Sequence, residues 1–340
     1  MISTTNVETK SNGNNIGFFI RKRLFGTQEF GIFIAFILLC IFFTIQAPVF
    51  ASFSNLMNLG RQISTTGIMA VGMTILIICG EFDLSVGSIF CITSGLCALM
   101  MLSGMPILAA VLLSLLLSVL IGMINGIITA YGRIPSFVTG LGMANLLRGV
   151  FLLISGGMPA TISGFLPSGK AADAFFFIGK GRLFGVIPMM LIFFFIVLAL
   201  GIFFLKKTRL GFSTYAVGGN PKAAHIAGLS VKWTKIIAFT LTGLTAGIAA
   251  ILQLSFIGTV TGQTGSGYEL DALSAAFIGG TNPLGGAGSL VGTFLGAAIV
   301  GALRNGLVLT GVSPFWQMVA IGMVIIVAVG IDQWTNKKRA

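Results

Sequence analysis

One histidine, four cysteines and eight acidic residues are all that 340 residues supply of the side chains most used for catalysis and metal binding. A lone His225 builds no histidine cluster, and Cys40, Cys79, Cys91 and Cys97 sit within or at the ends of apolar runs with no CxxC spacing, so they read as packing residues. No GxxxxGK[ST] occurs, because Gly169-Lys170 and Gly179-Lys180 are followed by Ala and Gly. The chain therefore has no P-loop of its own with which to hydrolyse a nucleotide. The run Gly286-Ala287-Gly288-Ser289-Leu290-Val291-Gly292 carries the glycines of a dinucleotide loop but no strand or βαβ unit around it. Charge is scarce too. Only 8% of residues are charged against 56% hydrophobic, which excludes a soluble globular domain. The net charge of +12 does not point to nucleic acid, since Lys and Arg gather at the ends of apolar runs rather than along one polar face.

What the chain has in quantity is long apolar runs. A hydrocarbon core of roughly 30 Å needs about 20 apolar residues in a helix. Runs of that kind read at about 30–50, 61–80, 85–104, 107–131, 136–156, 186–205, 235–257, 268–281, 289–310 and 314–332, ten in all, the eighth short. The first 20 residues are polar and Asn-rich rather than a cleavable leader, so residues 1–29 are expected to remain as a cytoplasmic tail. Residues 30–335 then form the membrane domain and 336–340 a cytoplasmic end. Alternating sides from a cytoplasmic N-terminus places 14 of the 20 Lys and Arg inside, Lys337-Lys338-Arg339 among them. Trp233 and Trp334 fall at inner ends and Trp316 at an outer one, as an aromatic belt requires.

The stretch 206–235 is the longest polar-and-small interval between strongly apolar runs. Within it Asn220 is an N-cap residue, Pro221 suits the first helical position, and Gly228 lies just past the end, which predicts a helix of roughly two turns. Gly218 and Gly219 let the chain turn into it, and Ala223, Ile226 and Ala227 share a face at i, i+3, i+4 spacing, with Lys222 and His225 beside it. Two readings fit that face: a knob for a partner's groove, or a helical linker between two spans.

Ionisable groups at membrane depth are costly and point to function. Glu81 and Asp83 sit in a Gly-flanked break between two spans, and Asp83 before Leu84-Ser85 suits a cap on the next helix, while Glu269 and Asp271 flank the start of the short eighth span, with Arg304 as an anchoring partner. Candidates for the translocation path or its gate are Glu81, Asp83, Ser85, Asn125, Glu269, Asp271 and Asn305. Gly122/Gly126, Gly243/Gly247 and Gly288/Gly292/Gly296 are small-xxx-small steps that bring helices close, within one chain or between two. A weak internal echo joins Gly80-Glu81-Phe82-Asp83-Leu84-Ser85 to the Gly280–Ser289 stretch, and Asn125-Gly126 to Asn305-Gly306, as in transporters built from repeats.

Five motifs in order carry a resemblance: Gly80-Glu81-Phe82-Asp83-Leu84-Ser85-Val86-Gly87-Ser88, Thr208-Arg209-Leu210-Gly211, Ala216-Val217-Gly218-Gly219-Asn220 with Ala223-Ala224, Gly267-Tyr268-Glu269-Leu270-Asp271-Ala272, and Gly279-Gly280-Thr281. From about residue 30 to the end the chain resembles the ribose-type monosaccharide permeases of bacterial ABC importers. That resemblance implies an all-α polytopic fold of the type II importer class, with about ten transmembrane helices, multi-pass in the bacterial inner membrane and with both termini cytoplasmic. It implies partners as well: a cytoplasmic ABC ATPase, an extracytoplasmic sugar-binding protein, and a second permease copy or paralogue. ATP and Mg would sit on the ATPase, with no cofactor and no catalysis on this chain. The stretch Gly218, Gly219, Asn220, Pro221, Ala223, Ala224, Ile226, Ala227 and Gly228 would be the ATPase-coupling element. The outer loop 157–185 and the connection 258–267 would meet the binding protein. The alternative reading is an ion-coupled secondary transporter of a small neutral solute, with Asp83 and Glu81 as its coupling carboxylates.

Overall fold

The computed structural model describes residues 28–166 and 169–313, with isolated positions between 315 and 330. The N-terminal tail to residue 27, the C-terminal end and most of the tenth expected span lie outside the described residues.

Local punctuation accounts for most helix starts. α1 (Gln28–Gln46) leads through a short 3-10 turn (Pro48–Ala51) to α2 (Phe53–Ile78), where the Ser52 hydroxyl accepts from Asn55 N at 3.3 Å. α3 (Val86–Leu102) follows a break in the chain, while α4 (Ile107–Gly132), α5 (Ser136–Ser155) and α7 (Met189–Lys207) each begin directly after a proline, where no backbone N–H is needed. α6 (Lys170–Lys180) is a short helix between α5 and α7. After α7 come α8 (Arg209–Gly219), capped by Thr208, α9 (Pro221–Ile226), capped by Asn220, and the long α10 (Val231–Ile257). The described helices close with α11 (Tyr268–Ile278) and α12 (Leu290–Leu309), the second capped by Ser289. Four two-residue strands are the only sheet among the described residues: β1 (Ala160–Thr161) pairs antiparallel with β4 (Thr259–Val260), and β2 (Arg182–Leu183) with β3 (Ile187–Pro188).

Seven described helices, α1, α2, α4, α5, α7, α10 and α12, are long and apolar enough to cross a membrane. Two more of the ten expected spans are shorter helices, and the tenth lies mostly outside the described residues. The third expected span is α3, whose 17 residues make about 25 Å of helix. The eighth is α11, whose 11 residues make about 16 Å, half of a bilayer core.

α2 is the axis of the bundle. Every residue from Gly67 to Ile78 is buried, against α7, α10, α11 and α12. α1 is the opposite case: Phe33, Leu38, Ile41, Phe42 and Ile45 are exposed, an apolar surface that only lipid or another helix suits. The glycine steps resolve as contacts within the chain. A methyl group on Gly122 or Gly126 would run into the backbone of α10 at Phe239 and Ile236, and one on Gly243 would meet Ser118 and Gly122 of α4. Likewise Gly292 and Gly296 of α12 lie directly against Gly279 and Ala275 at the end of α11. Removing side chains is what lets these backbones touch.

Candidate functional site

The two breaks that sequence reading paired share one geometry. At the end of α2, Gly80 (φ +85°) donates to Ile77 O and Glu81 N donates to Leu76 O. At the end of α11, Gly280 (φ +80°) donates to Phe277 O and Thr281 N to Ala276 O. Both are Schellman ends that require a residue at positive φ, which glycine supplies without strain. The breaks also meet in space, since Gly286 N donates to Ile78 O at 2.9 Å and a methyl on Gly285 would stand 2.8 Å from Gly80 Cα.

Onto this meeting point fits the last turn of α8. A side chain on Gly218 would overlap the Ile78 carbonyl and the Gly286 amide, and one on Gly286 would overlap Gly219. The Tyr215 hydroxyl donates to Gly288 O at 2.9 Å one turn back. Gly218 and Gly219 are therefore helical residues that form a backbone-to-backbone seat, where the sequence suggested a turn. The turn itself falls at Asn220, extended at φ −156°.

Beyond the seat α9 has the predicted punctuation. The Asn220 side chain accepts from Ala223 N at 3.0 Å, Pro221 is the first helical residue, and Gly228 (φ +81°) ends it with Leu229 N donating to Ala224 O. Ala223 and Ala227 are exposed and Ile226 is 87% exposed, so the predicted apolar face is open. Ala224 points the other way. At 4% exposure it packs into the bundle and holds the helix rather than presenting it. A cleft of about 860 Å3 runs beside α9, lined by Tyr131, Arg133, Lys232, Trp233 and Lys235 among others. Glu81 forms an ion pair with Lys235 there, which ties the first break to the start of α10.

Asp83, fully buried, sits between the breaks and the head of α3. One carboxylate oxygen accepts from Ser85 N (2.7 Å) and Ser85 Oγ (2.6 Å), the other from Asn125 Nδ2 (3.0 Å), which also reaches Ser85 Oγ at 2.9 Å. Asn125 Oδ1 has no partner among the described residues. Asp83, Ser85 and Asn125 thus form one network across α3 and α4. The other candidates lie elsewhere. Asp271 pairs with Arg304 at 2.9 Å, joining α11 to α12, and Glu269 accepts from Gly267 N at 3.3 Å. Asn305 makes a reciprocal amide pair with Asn55, at 2.8 and 3.1 Å, between the head of α2 and the tail of α12. The echo of Asn125 with Asn305 therefore does not extend to their surroundings. Asn55 escaped sequence reading because an Asn three residues after a cap carries no local sign of a partner 250 residues away.

The segment 258–267, expected as an outward connection, runs back into the bundle. After β4 pairs with β1, Thr261 O accepts from Cys91 Sγ, Gly262 O from Arg148, and Gly265 lies against the backbone of Gly87 in the first turn of α3. Non-helical backbone at such depth is tolerated where protein surrounds it. Among the described residues no three His, Cys, Asp or Glu side chains gather into a set that could hold a metal ion.

Comparison with known proteins places this geometry. The chain is 40% identical over 306 residues to the ribose import permease protein of Escherichia coli (strain K12), covering 90% of this chain and 93% of that protein. It is 39% identical over 309 residues to the ribose import permease protein of Bacillus subtilis (strain 168), covering 90% and 93%. The xylose transport system permease protein of Haemophilus influenzae is 30% identical over 366 residues, covering 92% and 97%. No solved structure matches the chain. A family model described as branched-chain amino acid transport system / permease component matches residues 55–329, a stretch that takes in both broken helices, the seat of α8 and α9. By the span of that match and by these relatives, the chain belongs to the branched-chain amino acid transport system / permease component family.

Proposed function

We infer that the chain is the permease subunit of an ATP-driven importer for a monosaccharide, ribose or a similar pentose or hexose. The observation that carries this reading is the likeness to ribose import permeases, 40% identity sustained over 90% of this chain. The geometry supports the coupling half of it. α9 offers an open face of Ala223, Ile226 and Ala227, and α8 behind it rests on the ends of both broken helices. A cytoplasmic ATPase that grips α9 therefore acts on α2, α11 and α12 through one rigid piece. ATP and Mg belong to that ATPase, and the sugar arrives from an extracytoplasmic binding protein at the opposite end. A second permease copy, or a paralogue, completes the pathway. The subunit is a multi-pass protein of the bacterial inner membrane with both termini, and the basic end with 206–235, on the cytoplasmic side.

Within this reading Asp83 holds the head of α3 in place, with Ser85 and Asn125 as its partners. Its burial between hydrogen-bond donors fits positioning better than the cycle of charging and discharging that ion coupling needs. Reconstitution in lipid vesicles with the ATPase and binding protein tests the function. Ribose uptake that requires ATP and both partners is the expected result. Uptake driven by a proton gradient without ATP overturns it, and ATP-driven uptake of leucine in place of ribose moves the cargo to the amino acids named in the family's description.

A further inference from the structure

Two cavities lie far from the glycine seat. Arg61, on the wall of the first, stands 17 residues before Ile78, about 25 Å along α2. This cavity, of about 320 Å3 and partly open, is bordered by α2, α10, α11 and α12, and Arg61, Gln62, Thr65, Gln253, Tyr268 and Arg304 bring polar atoms to it. The second, of about 300 Å3, lies between α3, the end of α10 and the inward-running segment, where Ser94, Gln263, Thr264 and Ser266 do the same. Gln253 and Tyr268 line both, so the cavities are neighbours across these two side chains. Each is of the size small-molecule sites have, roughly 300 Å3 and upward.

The contact between them is specific. Thr65, nearly buried, donates from Oγ1 to Gln253 Oε1 at 3.1 Å, from α2 to α10. Amides, hydroxyls and guanidinium groups facing a cavity inside an apolar bundle are costly as packing, which points to cargo. Arg304 is matched by Asp271, while the Arg61 guanidinium stays charged and packs 4.2 Å over the Phe256 ring. Hydrogen-bonding capacity beside aromatic edges suits a molecule with many hydroxyls and an apolar ring face. None of Glu81, Asp83, Ser85, Asn125, Glu269 and Asn305 lines either cavity, and Asp271 reaches the first only through Arg304.

We propose that these paired cavities are the cargo station of the permease, that it takes a neutral polyhydroxylated molecule of monosaccharide size, and that the Thr65–Gln253 hydrogen bond is the contact the cargo displaces. The nature of the cargo rests on the sugar-importer reading; the position of the station rests on the cavities alone. Displacement exchanges one neutral hydrogen bond for another, so the cargo is recognised without being trapped.

The test uses the complete importer in vesicles and reads sugar carried per ATP hydrolysed. Thr65→Val keeps the shape and removes the donor, and Gln253→Leu removes the amide. Each should lower that ratio about tenfold, while Thr65→Ser and Gln253→Asn should restore most of it. A fall in folding alone would lower uptake and ATP hydrolysis together. An unchanged ratio in Thr65→Val and Gln253→Leu overturns the proposal. In a background with the native cysteines replaced, Gln253→Cys should react with a membrane-impermeant maleimide added outside and Ala250→Cys, buried and lining neither cavity, should not; silence at 253, or equal labelling at both, also overturns it. Should the unmodified importer carry no sugar at all, the cargo class falls with the sugar reading, and the maleimide result alone decides the station.

Discussion

Asp83 acts only as an acceptor in this network, and that sets what can replace it. In Asp83→Asn, one oxygen still accepts from Ser85, but the new amide nitrogen faces Asn125 Nδ2. Asn125 can answer by turning its own amide, whose Oδ1 has no partner to lose, at the cost of its Nδ2 contact with Ser85 Oγ. In Asp83→Leu the Ser85 and Asn125 donors are stranded in a buried site at about 1–3 kcal/mol each. The asparagine variant should therefore keep much of the ATP-driven uptake and the leucine variant lose it. Equal loss in both, with normal membrane insertion, would show that the negative charge itself is required.

At the scale of the element, α9 is small enough that its sequence nearly specifies it. Asn220, Pro221 and Gly228 mark both ends, and each does what its type predicts. Its outward face is open, so a partner's groove that closes over Ala223 and Ala227 has little room for added volume, and overfilling such a contact costs roughly 1–3 kcal/mol. A charge there must also be desolvated. Ala223→Arg and Ala227→Glu are expected to release the ATPase on purification while the permease stays folded, and Lys222→Ala, which removes a solvated charge, to do much less. An ATPase-to-permease ratio unaffected by the first two would make α9 a linker. The same punctuation marked the ends of α2 and α11, but not what they touch: Gly218 in the sequence is as consistent with a turn as with a seat, because a missing side chain does not say what fills its place.

For the molecule as a whole, the helical membrane class was legible from composition, and seven of the expected spans are helices of sufficient length. The half-length of α11 was foreshadowed by its short apolar run. The contacts that matter most were not legible, because Thr65 with Gln253, Asn55 with Asn305 and Gly122 with Gly243 are partners more than 100 residues apart and a linear pattern has no record of distance. The fate of 258–267 was hidden for the same reason. Its polar residues read as surface, and Gln263 and Ser266 are indeed exposed, yet Thr261 and Thr264 are half-buried and Gly265 packs against Gly87. This moves the expected contact with the binding protein. Lys170, exposed at the head of α6, should cross-link to it through an introduced cysteine, whereas Thr264, whose hydroxyl accepts from Thr261 N at 2.9 Å within the inward segment, should not. Efficient cross-linking at 264 with none at 170 would place the docking surface elsewhere.

The seat of α8 draws on residues 78–80, 218–219 and 285–286, and so on the first and last thirds of the chain at once. During synthesis α8 and α9 leave the ribosome before α11 and α12 exist, and the Ile78 carbonyl must wait for Gly286. A nascent or truncated chain can display α9, but without the support that fixes its direction. If α9 docks an ATPase as proposed, assembly with it becomes a check on completeness: only a chain made almost to its end holds that helix at the right angle.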